Sequence, residues 1–132
     1  MQTIEAKNGA NMPKTWTLSL SDPWMGLVRS GGKTYEGRLF RGLPKHFKVG
    51  DLIEFYSDQG GQDPPVVVKI LKILKYKTFR ESLQDLPIEQ VLPTLTIGEK
   101  ITVDEGEKIY WKYASQDSQL KWGVCQIQIQ LK

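Results

Sequence analysis

The reading of this chain turns on thirteen residues, SGGKTYEGRLFRG, which run from Ser30 to Gly42. The paired glycines end whatever precedes them, and the residues from Lys33 to Phe40 read as extended chain. Side chains two apart in extended chain share a face. Thr34, Glu36 and Arg38 therefore point one way and Tyr35 the other, with Lys33 at the turn, free to bend toward either face. A Glu36–Arg38 pair holds the planar guanidinium in one orientation. A fixed guanidinium beside an ammonium suits a phosphate, a carboxylate or a base edge. An exposed strand with a weak i,i+2 ion pair is the plainer account of the same residues, and this segment alone leaves both open.

The flanking sequence is a series of short elements. Trp16, Leu18 and Leu20 alternate with Thr17 and Ser19, the pattern of a half-buried strand. Ser21-Asp22-Pro23 then opens a short helix over 24–29, with proline in its first turn. Val49-Gly50-Asp51 is a turn, and Leu52, Ile53, Phe55 and Tyr56 form the next strand. The loop 59–65, rich in Gly and Pro, leads into VVVKILKILKYK (66–77). That run reads as a long strand with a bulge near Leu71, because Val66, Val68 and Ile70 fit one face and the phase then changes. Thr78 caps a helix over 79–83 with Glu81 at its third position, and Pro87 and Pro93 bracket another helical turn. Thr102 and Glu105 form a second capping box, opening a helix to about Ala114 with Ile109, Tyr110 and Tyr113 as its apolar stripe. In the closing strand Cys125, Ile127, Ile129 and Leu131 face in, and Gln126, Gln128 and Gln130 face out.

This order gives about five strands and several short helices with no βαβ repetition. The expected fold is mainly β with short helices (α+β): a small, mostly antiparallel barrel flanked by helices. The expected organisation is a tail over 1–14, without periodicity, and one domain over 15–132.

Composition narrows the function classes. The chain has 132 residues, one cysteine and one histidine. That rules out an internal disulfide framework and speaks against a structural zinc site; neither a metal nor a cofactor is expected. Any Ser-His or Cys-His machine would have to use His46, which lies in a basic loop, and Cys125 reads as core. Residues 1–50 carry eight Lys/Arg against three Asp/Glu, and residues 81–132 carry five against eight. A basic front half permits an anionic partner without demanding one. No apolar run is long enough to span a membrane, and the first residues lack the apolar core of a signal peptide. A soluble intracellular protein of cytoplasm or nucleus is the expectation.

The pattern Gly31-x-Lys33-x-x-Glu36-x-Arg38 resembles the signature of the ASCH domain, a branch of the PUA-like superfamily. The surroundings agree over roughly residues 16–132: Pro23-Trp24 and Leu27 before the motif, Gly50-Asp51-x-Ile53-x-Phe55 after it, then Phe79 with Leu83, and Tyr110/Tyr113 ahead of Gly123-Val124. The resemblance implies a PUA-like β-barrel with helices around it, a cleft at one side, and RNA or a modified nucleoside as ligand. Lys33, Thr34, Glu36, Arg38 and Trp24 are then the ligand-binding candidates, with Trp24 or Tyr35 placed to stack on a base. Lys69, Lys72 and Lys75 extend a phosphate track or guard a strand edge.

One branch of that family hydrolyses the amide of acetylated cytidine with a Lys, a Thr and a Glu. Lys33 matches its Lys, and Glu99 is the best match to its Glu. The Thr position is occupied here by Glu36, and Thr34 stands in a different slot. Lys33, Glu99 and Glu36 are thus the catalytic candidates under an enzyme reading, since a carboxylate serves as a base for water but not as a hydroxyl nucleophile. Cleavage of RNA and a coactivator-like role in protein interaction are the other functions the family implies.

Overall fold

A computed structural model describes residues 12–132. The first eleven positions of the expected tail lie outside the described residues. The chain is anchored ahead of the first strand at Lys14. The Lys14 amide donates to Asp51 Oδ1 at 3.0 Å, and the Lys14 carbonyl accepts from the Leu52 amide at 2.8 Å.

Five strands form one sheet in the order β1 (Thr15–Leu20), β3 (Leu52–Ser57), β4 (Val66–Tyr76), β5 (Val124–Leu131), β2 (Tyr35–Leu39). β1 and β3 run parallel; the other three pairings are antiparallel. The parallel pair is held at its start by the buried carboxylate of Asp51. It accepts from the Trp16 indole at 2.8 Å and from the Lys14 and Lys48 amides at 3.0 Å each. The Gly50-Asp51 of the family pattern is therefore structural: Gly50 supplies the positive φ of 96° for the turn and Asp51 ties three segments together. The register of β4 against β5 shifts between Ile70 and Lys72, the bulge expected near Leu71.

Six helical segments interrupt the strands. They are α1 (Trp24–Arg29), a single 3₁₀ turn (Leu43–His46), α2 (Phe79–Asp85), α3 (Ile88–Val91), α4 (Val103–Trp111) and α5 (Gln116–Trp122). The capping box at Thr102 is complete, with Glu105 bonding back to the Thr102 amide at 2.9 Å. The Thr78 hydroxyl caps α2 through the Glu81 amide at 3.2 Å. The helix α5 was not expected from the sequence. It has one buried side chain, Gln119, so it carries no apolar stripe to read. The helix α4 ends at Trp111, short of the expected Ala114, and Tyr113 is exposed rather than part of a buried stripe.

Two apolar clusters hold the sheet. Cys125, Ile127 and Ile129 of β5 join Ile53, Phe55, Val68, Met25 and Val28 on the concave face. Val124 on the other face joins Phe79, Leu83, Val91, Leu92 and Tyr110 under the helices. The inward set on β5 is as expected up to Ile129, whereas Leu131 is 44 % exposed at the strand end. Gln126, expected to face water, is fully buried, because α2 and α4 cover this part of the outer face. Its amide donates to Ser82 Oγ at 3.0 Å and to Tyr110 Oη at 3.2 Å. Its Oε1 has no partner among the described residues, so the burial of this amide is only half compensated.

Gly37 lies directly opposite Gln126, and the stacked rings of Phe79 and Tyr110, 3.9 Å apart, rest against its backbone. A Cβ at Gly37 would stand 2.6 Å from Tyr110 Oη and 3.0 Å from Phe79 Cε1. Gly37→Ala is therefore expected to lower stability by about 1–3 kcal/mol, the usual range for overpacking. Urea unfolding measures it, and an unchanged midpoint would show that the rings do not rest on this strand.

Candidate functional site

β1 and β2 are the two edges of the sheet and exchange no ladder with each other. The sheet curls so that these edges approach, and one side chain spans the gap between them. Arg38, on β2, donates from an Nη to the Ser19 carbonyl of β1 at 2.8 Å. Arg38 stands opposite Cys125 and Glu36 opposite Ile127, so the acid and the arginine of the motif both project to the concave face at its rim. Tyr35, on the alternate face as the spacing predicts, is buried among the helices and does not line the cleft, so it is not the stacking face offered as an alternative to Trp24.

The seam opens into a cleft of about 420 Å³, within the range of small-ligand sites. Lys33, Glu36, Arg38 and Trp24 all line it. Glu36 Oε2 accepts from Arg38 Nε at 2.7 Å, and Glu36 Oε1 lies 3.9 Å from Lys33 Nζ. The Glu36 side chain is 7 % exposed and that of Lys33 2 %, against 27 % for Arg38. The exposed-strand account of these residues is thereby set aside: this is a nearly dry carboxylate with a cation on each oxygen. Lys33 also donates to the Val91 carbonyl and lies 5.4 Å from the centre of the Trp24 ring.

Burial drives the Lys33 pKa down to about 8; Glu36 pulls it up and the neighbouring Arg38 adds to the lowering. Desolvation thus outweighs an ion pair at 3.9 Å. Tyr110 also lines the cleft and is buried, which raises its pKa and keeps the phenol neutral. Its oxygen accepts from Gln126, which leaves its proton available to donate. Tyr113 closes the mouth, with its hydroxyl 3.3 Å from both Trp24 Nε1 and Ser21 Oγ.

Other expected residues lie elsewhere. Thr34 lines a second, shallower hollow and bonds Gln90 Oε1 at 3.1 Å. Glu99 is exposed in the connection between α3 and α4, does not line the cleft, and does not meet Lys33. His46 is exposed on the 3₁₀ turn, away from the cleft lining. Cys125 is buried in the core and its thiol is pushed up to about 12, chiefly by desolvation. The three lysines do not form one track. Lys69 and Lys72 pair with Gln130 and Gln128, whereas Lys75 pairs with Cys125, on the concave-face row, and is exposed there with its ammonium 4.3 Å from the Phe40 ring centre. Sequence reasoning missed the Ser19 carbonyl, Tyr110 and Arg41 as parts of the lining. Only the Gly37–Tyr110 approach carried a sequence trace, a glycine between two charged motif residues.

Among the described residues no group of three or more His, Cys, Asp or Glu is placed to hold a metal ion. No helix there is long and apolar enough to cross a membrane.

A curled five-stranded sheet with a polar seam between its edge strands and helices packed outside it defines a PUA-like α+β domain. The chain belongs to the ASCH domain family, whose pattern matches residues 18–131. Its structure is similar to the crystal structure of the hypothetical protein PH0355, at 31 % identity and a TM-score of 0.75, over 89 % of this chain and 99 % of that one. It is similar also to the solution structure of PF0455 from Pyrococcus furiosus, at 29 % identity and a TM-score of 0.67, over 89 % and 96 % of the two chains. A crystallised variant of ZmASCH from Zymomonas mobilis shares the fold at 13 % identity and a TM-score of 0.60, over 90 % of this chain and 69 % of that one. No protein of curated function matches it.

Lys33 has a folded pKa below its unfolded value of 10.5. The unfolded chain therefore binds more protons between about 8 and 10.5, and stability rises with pH across that window. The penalty is fully present below about 8. Wild-type stability, measured against Lys33→Met, is expected to climb from pH 8 to pH 10. Glu36→Gln removes the one raising influence and is expected to move the Lys33 titration below 8, as read by NMR of the lysine side chain. A titration that stays in place would mean that Glu36 and Lys33 do not interact.

Proposed function

We propose that this domain binds RNA or a modified nucleoside in the cleft at the sheet seam. The observation that carries the reading is the convergence of Lys33, Glu36 and Arg38 on one solvent-reachable hollow under Trp24. The lysine and arginine are donors for a phosphate or base carbonyl, and Glu36 accepts from an exocyclic amine or orients Arg38. Tyr110 adds a neutral donor. Trp24 and Tyr113 offer ring surface at the mouth, the kind of wall on which bases stack. An ASCH domain with this cleft supports nucleic acid as partner better than it supports a protein-docking role, since the polar groups lie inside a hollow rather than on a flat face.

One observation favours a second reading, hydrolysis of a modified nucleoside. An amine whose pKa has fallen to about 8 is closer to working as a general base than an ordinary lysine. Under that reading Lys33 pairs with Glu36, because Glu99 does not line the cleft. The Thr slot of the hydrolytic branch remains a carboxylate, so the chemistry would be activation of water and not attack by a hydroxyl.

Binding is measured by fluorescence anisotropy with short single-stranded RNAs and by calorimetry with nucleosides. Lys33→Met and Arg38→Ala are each expected to weaken affinity by about 10-fold or more, from the loss of a charge-assisted hydrogen bond. Affinity is expected to fall with salt. Folded variants that bind as the wild type does would end the reading. Release of acetate from acetylcytidine, lost in Lys33→Met, would select hydrolysis over binding alone.

A further inference from the structure

The cleft has two sides that differ in charge. On the β1/β3 side the exposed charged lining residue is Asp58, whose amide bonds the Leu20 carbonyl at the end of β1. On the β2/β5 side it is Arg41, two residues beyond β2. Arg41 is exposed, and among the described residues its guanidinium has no carboxylate partner and no hydrogen bond. It is nevertheless held, because its guanidinium carbon lies 4.9 Å from the centre of the Trp122 ring. The backbone brings the two together: the Phe40 amide bonds the Gly123 carbonyl at 2.9 Å. The Lys121 ammonium lies 5.0 Å from the same ring. Trp122 is 37 % exposed. The result is a cationic ledge on an aromatic base that begins at the rim of the cleft and continues away from it.

We infer that this ledge, Arg41 on Trp122 with Lys121, binds the phosphate and flanking nucleotide of a single strand whose neighbouring nucleotide occupies the cleft. The inference rests on the proposed function and specifies its substrate class as an oligonucleotide strand rather than a free nucleoside. The charges decide the direction. A phosphate leaving on the β1/β3 side meets the Asp58 carboxylate; one leaving on the β2/β5 side meets two cations, Arg41 and Lys121, that no carboxylate among the described residues pairs with. The indole supports the guanidinium plane and adds a face for the flanking base, the combination that nonspecific strand grooves use. A lone solvated arginine would lose side-chain entropy on binding, whereas one already resting on a ring loses less.

The test compares a nucleoside, its monophosphate and a trinucleotide of the same base, by calorimetry on the full chain. The trinucleotide is expected to bind at least about 10-fold more tightly than the nucleoside, the worth of one charge-assisted phosphate contact. In Arg41→Gln and in Trp122→Leu that advantage is expected to shrink to about 3-fold or less. In Arg41→Gln the slope of log affinity against log salt is expected to fall by about 0.7, the value for one phosphate of a single strand. Urea unfolding checks that both variants fold; Arg41 is exposed, so its variant serves if Trp122→Leu does not. A trinucleotide no tighter than the nucleoside, or an advantage that survives Arg41→Gln, overturns the ledge and leaves the cleft standing. If Lys33→Met weakens neither ligand, it is the cleft reading that fails.

Discussion

A carboxylate with a cation on each oxygen, placed where a sheet stops pairing with itself, organises this molecule. Glu36 is almost wholly removed from water, and its oxygens meet Arg38 at 2.7 Å and Lys33 at 3.9 Å. Losing one member of such a group strands a charge in a poor dielectric, at a cost of about 3–5 kcal/mol. The same arginine crosses to the Ser19 carbonyl of β1. Where a closed barrel would place a backbone ladder, this domain has one guanidinium. Edge strands expose unpaired amides and carbonyls, and here the curl of the sheet turns those edges toward each other and makes their gap a cleft instead of a docking edge.

The rest of the fold works to keep that gap open at a fixed width. The concave cluster supports β5 and the inner row of β4 behind Glu36 and Arg38. The outer cluster presses Phe79 and Tyr110 against the backbone of Gly37, with less than a methyl group to spare. Arg80 of α2 reaches Asp104 at 2.7 Å and Glu107 at 3.0 Å on α4, tying together the helices that carry those rings. Because Arg80 is itself well exposed, the packing of Leu83 and Leu92 against Gly106 contributes more to that helix contact than the charges do.

Alternation in the sequence carried most of the sheet. Period-2 runs at Trp16–Leu20 and Cys125–Ile129, the phase change near Leu71, and capping residues at Thr78 and Thr102 all mark real elements, because each reports a local cause. What stayed hidden has a nonlocal cause. Gln126 looks outward-facing until α2 and α4 are laid over it. The helix α5 buries Gln119 and no apolar row, so periodicity had nothing to register. The cluster at Lys33, Glu36 and Arg38 was legible, since residues within one short strand share a face whatever the fold. Glu99 depended on folding to reach the cleft from a distant loop, and it does not reach. Trp122 and Arg41 are eighty-one positions apart in sequence, and only the β2–β5 pairing makes them neighbours.

The balance of forces on Lys33 bears on the proposal that the cleft takes an anionic or polar guest. Burial alone favours the neutral amine, and the attraction of Glu36 at 3.9 Å is too weak to offset it because Glu36 is shared with Arg38. The site therefore holds a buried ammonium supported by the Val91 carbonyl and, more distantly, by Glu36. A phosphate or a polarised carbonyl entering the cleft adds negative potential, raises the affinity of Lys33 for its proton, and relieves part of the desolvation penalty that the empty fold carries. A cationic guest would meet the same dry surroundings with Lys33 and Arg38 opposing it. Under the proposed binding role, the burial of this one lysine would favour negative charge before any contact with a particular base is counted.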